Sequence, residues 1–199
     1  MYNFFKRLID FILSLLAIIV LIPIFFLISL FITLDDGFPV FYAQERMGRN
    51  WKRFKIFKFR TMVKDADKKG LGITSEDDSR ILKSGKVLRK FKLDELPQLF
   101  NVLIGNMSLV GPRPELDYYV NMFKKEYDII LTIKPGLTDY ASIEYRDESV
   151  ILDNSSNKEK TYVEKILPEK LALNKKYIED YNFFTDIKIL IYTIIAIFK

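Results

Sequence analysis

The sequence predicts an α+β, mostly helical protein. A membrane helix that enters and leaves by the same face (residues 1–36) precedes a compact charged domain (residues 37–199) edged by interfacial amphipathic helices. Three observations predict it. Residues 11–34 carry no charge, and Asp35 and Asp36 close the run. Pro23 stands in the middle of that run, where its ring removes a donor and collides with the preceding turn. Basic residues flank the run on both sides, Lys6 and Arg7 before it and Arg46, Arg49, Lys52, Arg53, Lys55, Lys58 and Arg60 after it.

At a 1.5 Å rise the uncharged run makes a helix of roughly 36 Å, enough to cross a hydrocarbon core. The positive-inside rule asks for both flanks on the cytoplasmic side. A straight span cannot grant that, whereas a helix bent at Pro23 can. The bend frees the carbonyl near Ile19, which needs a polar neighbour in lipid; Ser14 and Ser29 are the hydroxyls on offer. A full span and an apolar helix buried in protein are the competing readings. A cleavable signal is disfavoured by the length of the run and the lack of a small-residue cleavage site after it.

After the anchor, residues 39–42 form a short apolar stretch and residues 46–50, with Gly48, a turn. Residues 54–57 alternate in part, which suggests a strand or an interfacial segment. The polar stretch 63–78, with Gly70 and Gly72, reads as a mobile surface loop. Helical spacing returns over residues 79–92 and again over 94–104, where Gly105 stops it. Residues 109–114 lead into a Gly-Pro-Arg-Pro corner, 115–131 form a third helix and 133–136 another turn. Residues 147–160 are polar and loose, 162–181 helical, and 186–199 apolar and suited to lie at a membrane interface.

Composition narrows the chemistry. The chain has 199 residues, 31 basic and 26 acidic, a net charge of +5 too small and too interspersed to call for nucleic acid. With no cysteine there is no disulfide framework or thiol nucleophile, and with no histidine the usual general base is absent. Catalysis must use carboxylates, Lys, Arg, Tyr or hydroxyls, and a metal would be a hard, oxygen-bound cation such as Mg²⁺. The basic belt after the anchor suits anionic headgroups or a phosphorylated substrate.

Four features could carry phosphate chemistry. Asp94 and Glu95 precede Leu96-Pro97, and proline favours the first turn of a helix. Asp94 then reads as a cap, an ionised and exposed carboxylate at the positive helix end, with Glu95 placed to hold a divalent cation. A plain capping acid followed by a dipole-compatible neighbour is the bland alternative. Pro112 and Pro114 stiffen the backbone around Arg113, so the guanidinium loses little entropy in gripping a phosphate; a tight turn with a surface arginine fits as well. Lys58 and Arg60 could reach phosphates or rest as a solvated edge on lipid, and Arg146 is a weaker candidate. Together they favour phosphate chemistry at a membrane surface.

Several ordered blocks resemble the bacterial sugar transferase family, the monotopic phosphoglycosyl transferases. They are Lys6-Arg7-Leu8-Ile9-Asp10, Pro39-Val40-Phe41-Tyr42 with Gln44-Glu45-Arg46-Met47-Gly48, and Phe57-Lys58-Phe59-Arg60-Thr61-Met62. Further on stand Leu93-Asp94-Glu95-Leu96-Pro97-Gln98-Leu99-Phe100-Asn101-Val102, Met107-Ser108-Leu109-Val110-Gly111-Pro112-Arg113-Pro114 and Lys134-Pro135-Gly136-Leu137-Thr138. The resemblance implies a re-entrant helix broken near a proline, although the usual Ser-Pro pair is Ile22-Pro23 here. It implies transfer of a sugar-1-phosphate from a UDP-sugar to undecaprenyl phosphate in two steps, the first membrane step of a capsule, exopolysaccharide or glycoprotein pathway. Asp94 matches the nucleophile and Glu95 its partner on Mg²⁺, with Asp94 as a second metal contact. Arg113, within Pro112 and Pro114, falls near the nucleotide, and Lys58, Arg60 and Arg146 near phosphates or headgroups. The expected place is the cytoplasmic face of the bacterial inner membrane, with membrane lipids, and a second copy of the chain, as candidate partners. The compact form of the family is the one implied, and the sugar is left open. The rival readings are a membrane-tethered hydrolase or cytidylyltransferase-like enzyme, and a scaffold in which Asp94 and Glu95 only cap.

Overall fold

The structure, a computed structural model, describes residues 2–66 and 78–197. Most of the stretch expected as a mobile loop, residues 67–77, lies outside the described residues. The architecture is mostly helical, with two small two-stranded sheets among the described residues.

Helix α1 runs from Tyr2 to Asp36 with Pro23 inside it, long and apolar enough to cross a membrane by length and composition. Its buried residues form two separate groups, Lys6, Asp10 and Ser14 at one end and Ile28 and Ile32 at the other. No residue from 15 to 27 is buried. Within the first group the spacing of four puts all three side chains on one helix face. Ser14 and Ser29, the hydroxyls expected to serve the carbonyl freed by Pro23, bond instead to Phe11 O (3.1 Å) and Phe25 O (2.7 Å). A hydroxyl on a helix reaches only the carbonyl three or four residues back, so neither can serve residue 19.

Strands β1 (Phe41–Met47) and β2 (Arg53–Phe59) form an antiparallel hairpin in the register Phe41↔Phe59 to Met47↔Arg53. The expected turn at residues 46–50 is displaced, because β1 continues through Met47 and the chain reverses at Asn50 and Trp51, both in the left-handed region. Helix α2 (Lys83–Lys90) is shorter than its periodicity suggests. Ile81 bridges Met62 and Leu82 N donates to Thr61 O at 3.0 Å, so the chain before α2 is extended.

The segment expected as one helix over 94–104 is two pieces. A single 3-10 turn, Leu93–Glu95, follows Lys92, which sits in the left-handed region at φ 55°. Helix α3 then runs from Gln98 to Ile104 and stops at Gly105 (φ 94°) as the sequence predicts. Strand β3 (Ser108–Val110) pairs in parallel with β4 (Gly136–Thr138), in the register Ser108↔Gly136 and Val110↔Thr138. Between them the expected single helix 115–131 is broken at Phe123 into α4 (Asp117–Met122) and α5 (Lys124–Ile130). The break lets Tyr119 and Val120 from one piece and Tyr127 and Ile130 from the other reach the same core.

Helix α6 (Tyr140–Glu144) follows β4. The stretch read as loose holds two short helices, α7 (Glu148–Asp153) and α8 (Lys158–Thr161). They are ordered by the burial of Leu152 and by Asn157, whose side chain accepts from Lys160 N. A π turn at Tyr162–Ile166 leads into α9 (Leu167–Glu179), and α10 (Phe183–Ile197) ends the described chain. The largest core lies under α4, α5, α7 and α9; a second joins Ile28 and Ile32 of α1 to Val40, Phe59 and Leu88.

Candidate active site

The parallel pair brings together two blocks that are distant in the sequence. Each is one strand of the pair, and the Pro112-Arg113-Pro114 corner leaves the end of β3. Gly111 N donates to Thr138 O (3.0 Å) and Gly136 N to Pro112 O (2.9 Å). The backbones of Gly111 and Gly136 approach so closely that a Cβ at Gly136 would lie 2.1 Å from Gly111 N. Asp139, fully buried at the start of α6, takes Arg113 N on one oxygen (3.0 Å) and Ser142 N on the other (2.6 Å). The corner is thus fixed from three sides before its side chain does anything.

Arg113 reaches across to Glu95. Its Nη1 donates to Oε2 at 2.9 Å and its Nη2 to Oε1, the bidentate fork that matches a carboxylate. Lys58 of β2 donates to the same Oε1 at 3.0 Å. Lys58 is in place because Asn101 of α3 zips the helix to the strand, its Oδ1 accepting from Phe57 N (2.9 Å) and its Nδ2 donating to Lys55 O (2.7 Å). Burial works against charge on Glu95, but Arg113 and Lys58 overcome it and hold the carboxyl well below the usual range. Glu95 in turn raises Arg113 above an ordinary guanidinium. Lys58 is pushed down by burial, with Glu95 opposing the shift.

Asp94 is the correction. The cap reading makes it exposed, yet it is only 7% accessible, and α3 has Pro97 rather than Asp94 at its N-cap position. Leu93 and Leu96 on either side pack against Ile28, Ile32 and Phe59, which draws the whole turn into the body. Burial therefore raises the Asp94 carboxyl above its ordinary value. Lys58 opposes that rise, the neighbouring Glu95 charge adds to it, and Arg89 and Lys92 oppose it more weakly. Two adjacent carboxyls are thereby pushed apart, Glu95 locked as an anion and Asp94 strained toward its neutral form.

The remaining expected residues fall in different places. Arg60 is buried and turned away, its guanidinium bonded to Asp36, to Gly37 O (2.6 Å) and to Pro39 O. It ties off the C-terminal end of α1, where carbonyls lack helical partners, so its expected phosphate contact is replaced by this one. Arg146 is half-buried in the turn between α6 and α7, and the charge of Glu148 two residues on acts on Arg113. Two members escaped the sequence reading. Asp139 carries a signal, since its short acceptor side chain begins a helix. Arg89, whose Nε donates to Thr61 Oγ1 at 2.9 Å, carries none, being one cation among many.

Of the two oxygen donors expected for Mg²⁺, Asp94 alone has no cation bonded to it among the described residues, while both oxygens of Glu95 are taken. No group of three such ligands occurs among the described residues. The donor set fits an ion held by Asp94 and completed by substrate phosphate oxygens, the common habit of Mg²⁺.

An apolar helix bearing a domain, with Asp94 buried, Glu95 half-buried and Lys58, Arg89 and Arg113 around the pair, suggests a class: a membrane-associated protein with a cationic site suited to phosphate. The family model for bacterial sugar transferases matches residues 1–199. The chain belongs to that family. It is 39% identical to an uncharacterized sugar transferase, EpsL, of Bacillus subtilis (strain 168) over 163 residues, 82% of this chain and 72% of the relative. It is 37% identical over 145 residues to the UDP-N-acetylgalactosamine-undecaprenyl-phosphate N-acetylgalactosaminephosphotransferase of Aeromonas hydrophila, 71% of this chain and 34% of that protein. A UDP-glucose:undecaprenyl-phosphate glucose-1-phosphate transferase of Escherichia coli (strain K12) is 32% identical over 193 residues, 95% of this chain and 39% of its own length. The chain thus spans little more than a third of two of these relatives.

Proposed function

We propose that the protein transfers a sugar-1-phosphate from a UDP-sugar to undecaprenyl phosphate, the opening membrane step of a glycan assembly pathway. The observation that carries it is the division of labour in the acid pair, with Glu95 clamped by Arg113 and Lys58 and Asp94 left without a bonded cation among the described residues. The names of the relatives support the substrate classes.

An Asp94 oxygen attacks the phosphorus attached to the sugar, and the bond from that phosphorus to the bridging oxygen breaks. UMP leaves with the bridging oxygen and its electron pair, and the sugar phosphate remains on Asp94 as an acyl phosphate. A phosphate oxygen of undecaprenyl phosphate then attacks the same phosphorus, the aspartyl bond breaks, and the carboxylate is restored. Neither step needs a proton removed, so the lack of histidine is no handicap. Bound Mg²⁺ supplies charge screening between the anionic partners. Arg113, Arg89 and Lys58 supply fixed positive charge around the transferred group. The raised pKa of Asp94 reflects an ionised form that is poorly stabilised at rest, and a carboxylate in that state is more nucleophilic than a solvated one.

We further infer that α1 is re-entrant and that the catalytic domain, residues 37–199, lies on the cytoplasmic face of the cell membrane. The domain touches α1 at both ends, through Lys6, Arg7 and Asp10 and again through Phe25, Ile28 and Ile32. Between these two sets of contacts no residue from 15 to 27 is buried, and two ends held by one domain support a helix that enters lipid and returns to the same face.

The test is isotope exchange. Labelled UMP should pass into UDP-sugar with Mg²⁺ present and no lipid acceptor, and Asp94→Asn should reduce exchange and transfer by roughly 10⁴-fold or more. Release of sugar phosphate to water without exchange would instead identify a hydrolase.

A further inference from the structure

We propose that the exposed face of α2 and the residues just after it form a second lipid contact, taking anionic phospholipid headgroups at the lip of the acid site. This rests on the membrane-bound reading above and adds to it a surface outside α1 and the basic belt.

From residue 79 to residue 93 the chain holds no acidic residue. Lys83, Lys86, Lys90 and Lys92 are all exposed, and between them stand Val87 and Phe91, one helical turn apart and 45% and 56% accessible. The Lys90 ammonium lies 5.9 Å from the Phe91 ring centroid. Lysines around an apolar pair match the headgroup level, where ammonium groups meet phosphates and an aromatic ring enters the acyl boundary. The opposite face of α2 is buried, and its Leu88 packs against Ile28 and Ile32. The patch is therefore seated on the anchor itself, continuous with a helix whose neighbouring Leu27, Leu30 and Phe31 are exposed and apolar. A polynucleotide would accept the lysines but has no use for an apolar pair held there. Asp94 follows Lys92 by two residues, so headgroup phosphates drawn here stand beside the nucleophile, where the acceptor's own phosphate must arrive.

The test uses the full chain, whose one tryptophan, Trp51, is first changed to Phe. Tryptophan is then placed by Phe91→Trp in one variant and by Phe26→Trp, on the exposed face of α1, in another. Each is bound to vesicles of phosphatidylcholine, alone or mixed with phosphatidylglycerol, that carry brominated acyl chains. Both reporters should be quenched, the one at position 91 more strongly in the mixed vesicles. Changing the four lysines to glutamine should weaken that quenching at least about twofold and leave position 26 as it was. Quenching at 26 with position 91 open to aqueous acrylamide would overturn the proposal while the anchor stands. Quenching at 91 that ignores both phosphatidylglycerol and the lysines would overturn the headgroup assignment. No quenching at either position would refute the anchoring reading and this proposal with it.

Discussion

Asp94 and Glu95 are chemically near-identical neighbours that the structure treats as opposites. Glu95 meets two cations and stays charged; Asp94 is pressed among leucines that pack on α1 and pays for it in ionisation. The sign of the resulting linkage is definite. A carboxyl whose folded pKa is raised costs no stability below its unfolded value, about 4, and costs progressively more as pH rises through that value to the folded one. Asp94→Asn, which keeps the shape and removes the charge, should therefore melt higher than the natural protein at neutral pH. The gap should close below about pH 4, where both states of the natural protein hold the proton. Scanning calorimetry across pH reads this directly, and an unchanged or lower melting temperature at pH 7 would sink the idea. By the same shift, the acid limb of UMP exchange should lie above the range of an ordinary aspartate. At this scale the sequence singled out the Asp94–Glu95 pair, Arg113 and Lys58 as separate features, with nothing in their spacing to show that they meet in the fold. The sequence reading put Arg60 near phosphates or headgroups, whereas its side chain bonds the end of α1; an arginine in a basic belt looks alike whether it faces phosphate or ties down a helix end.

Elements were legible in kind and less so in extent. Hydrophobic spacing located α2 and α3 but lengthened both, because periodicity cannot see that Leu82 N is claimed by Thr61 O or that Lys92 takes a left-handed turn. The short parallel pair β3–β4 was not anticipated as a sheet; three residues give no alternation to read. Its tightness explains a glycine pattern the sequence shows without reason. Gly136→Ala would drive a methyl group to 2.1 Å from Gly111 N and 2.3 Å from Gly111 O. Overpacking against backbone that cannot yield should cost about 3 kcal/mol, the upper end for added methyl groups, and should displace the Arg113 corner. Urea denaturation should show the loss, and exchange activity measured well below the melting point should fall as well.

The whole molecule is organised by a helix whose two ends both dock on the body. Lys6 and Arg7 looked like topogenic charges, and they are also docking groups: Lys6 pairs with buried Asp186 of α10, and Arg7 caps the carbonyls of Val102 and Leu103 at the end of α3. Because the chain has no cysteine, single-cysteine variants can report sidedness cleanly. Phe4→Cys and Glu45→Cys should both react with an impermeant maleimide from the cytoplasmic side of inverted vesicles; labelling from opposite sides would establish a full span. The sequence by itself pointed to a membrane-associated member of the sugar transferase family with a carboxylate pair and a rigid arginine. Those properties are local, carried by an uncharged run, a proline and contiguous blocks. Only the tertiary structure decided which acid is locked and which is strained, and that both ends of α1 meet the same domain. Both depend on what residues far apart in the chain bring against one another, and burial and charge pairing have no signature in spacing.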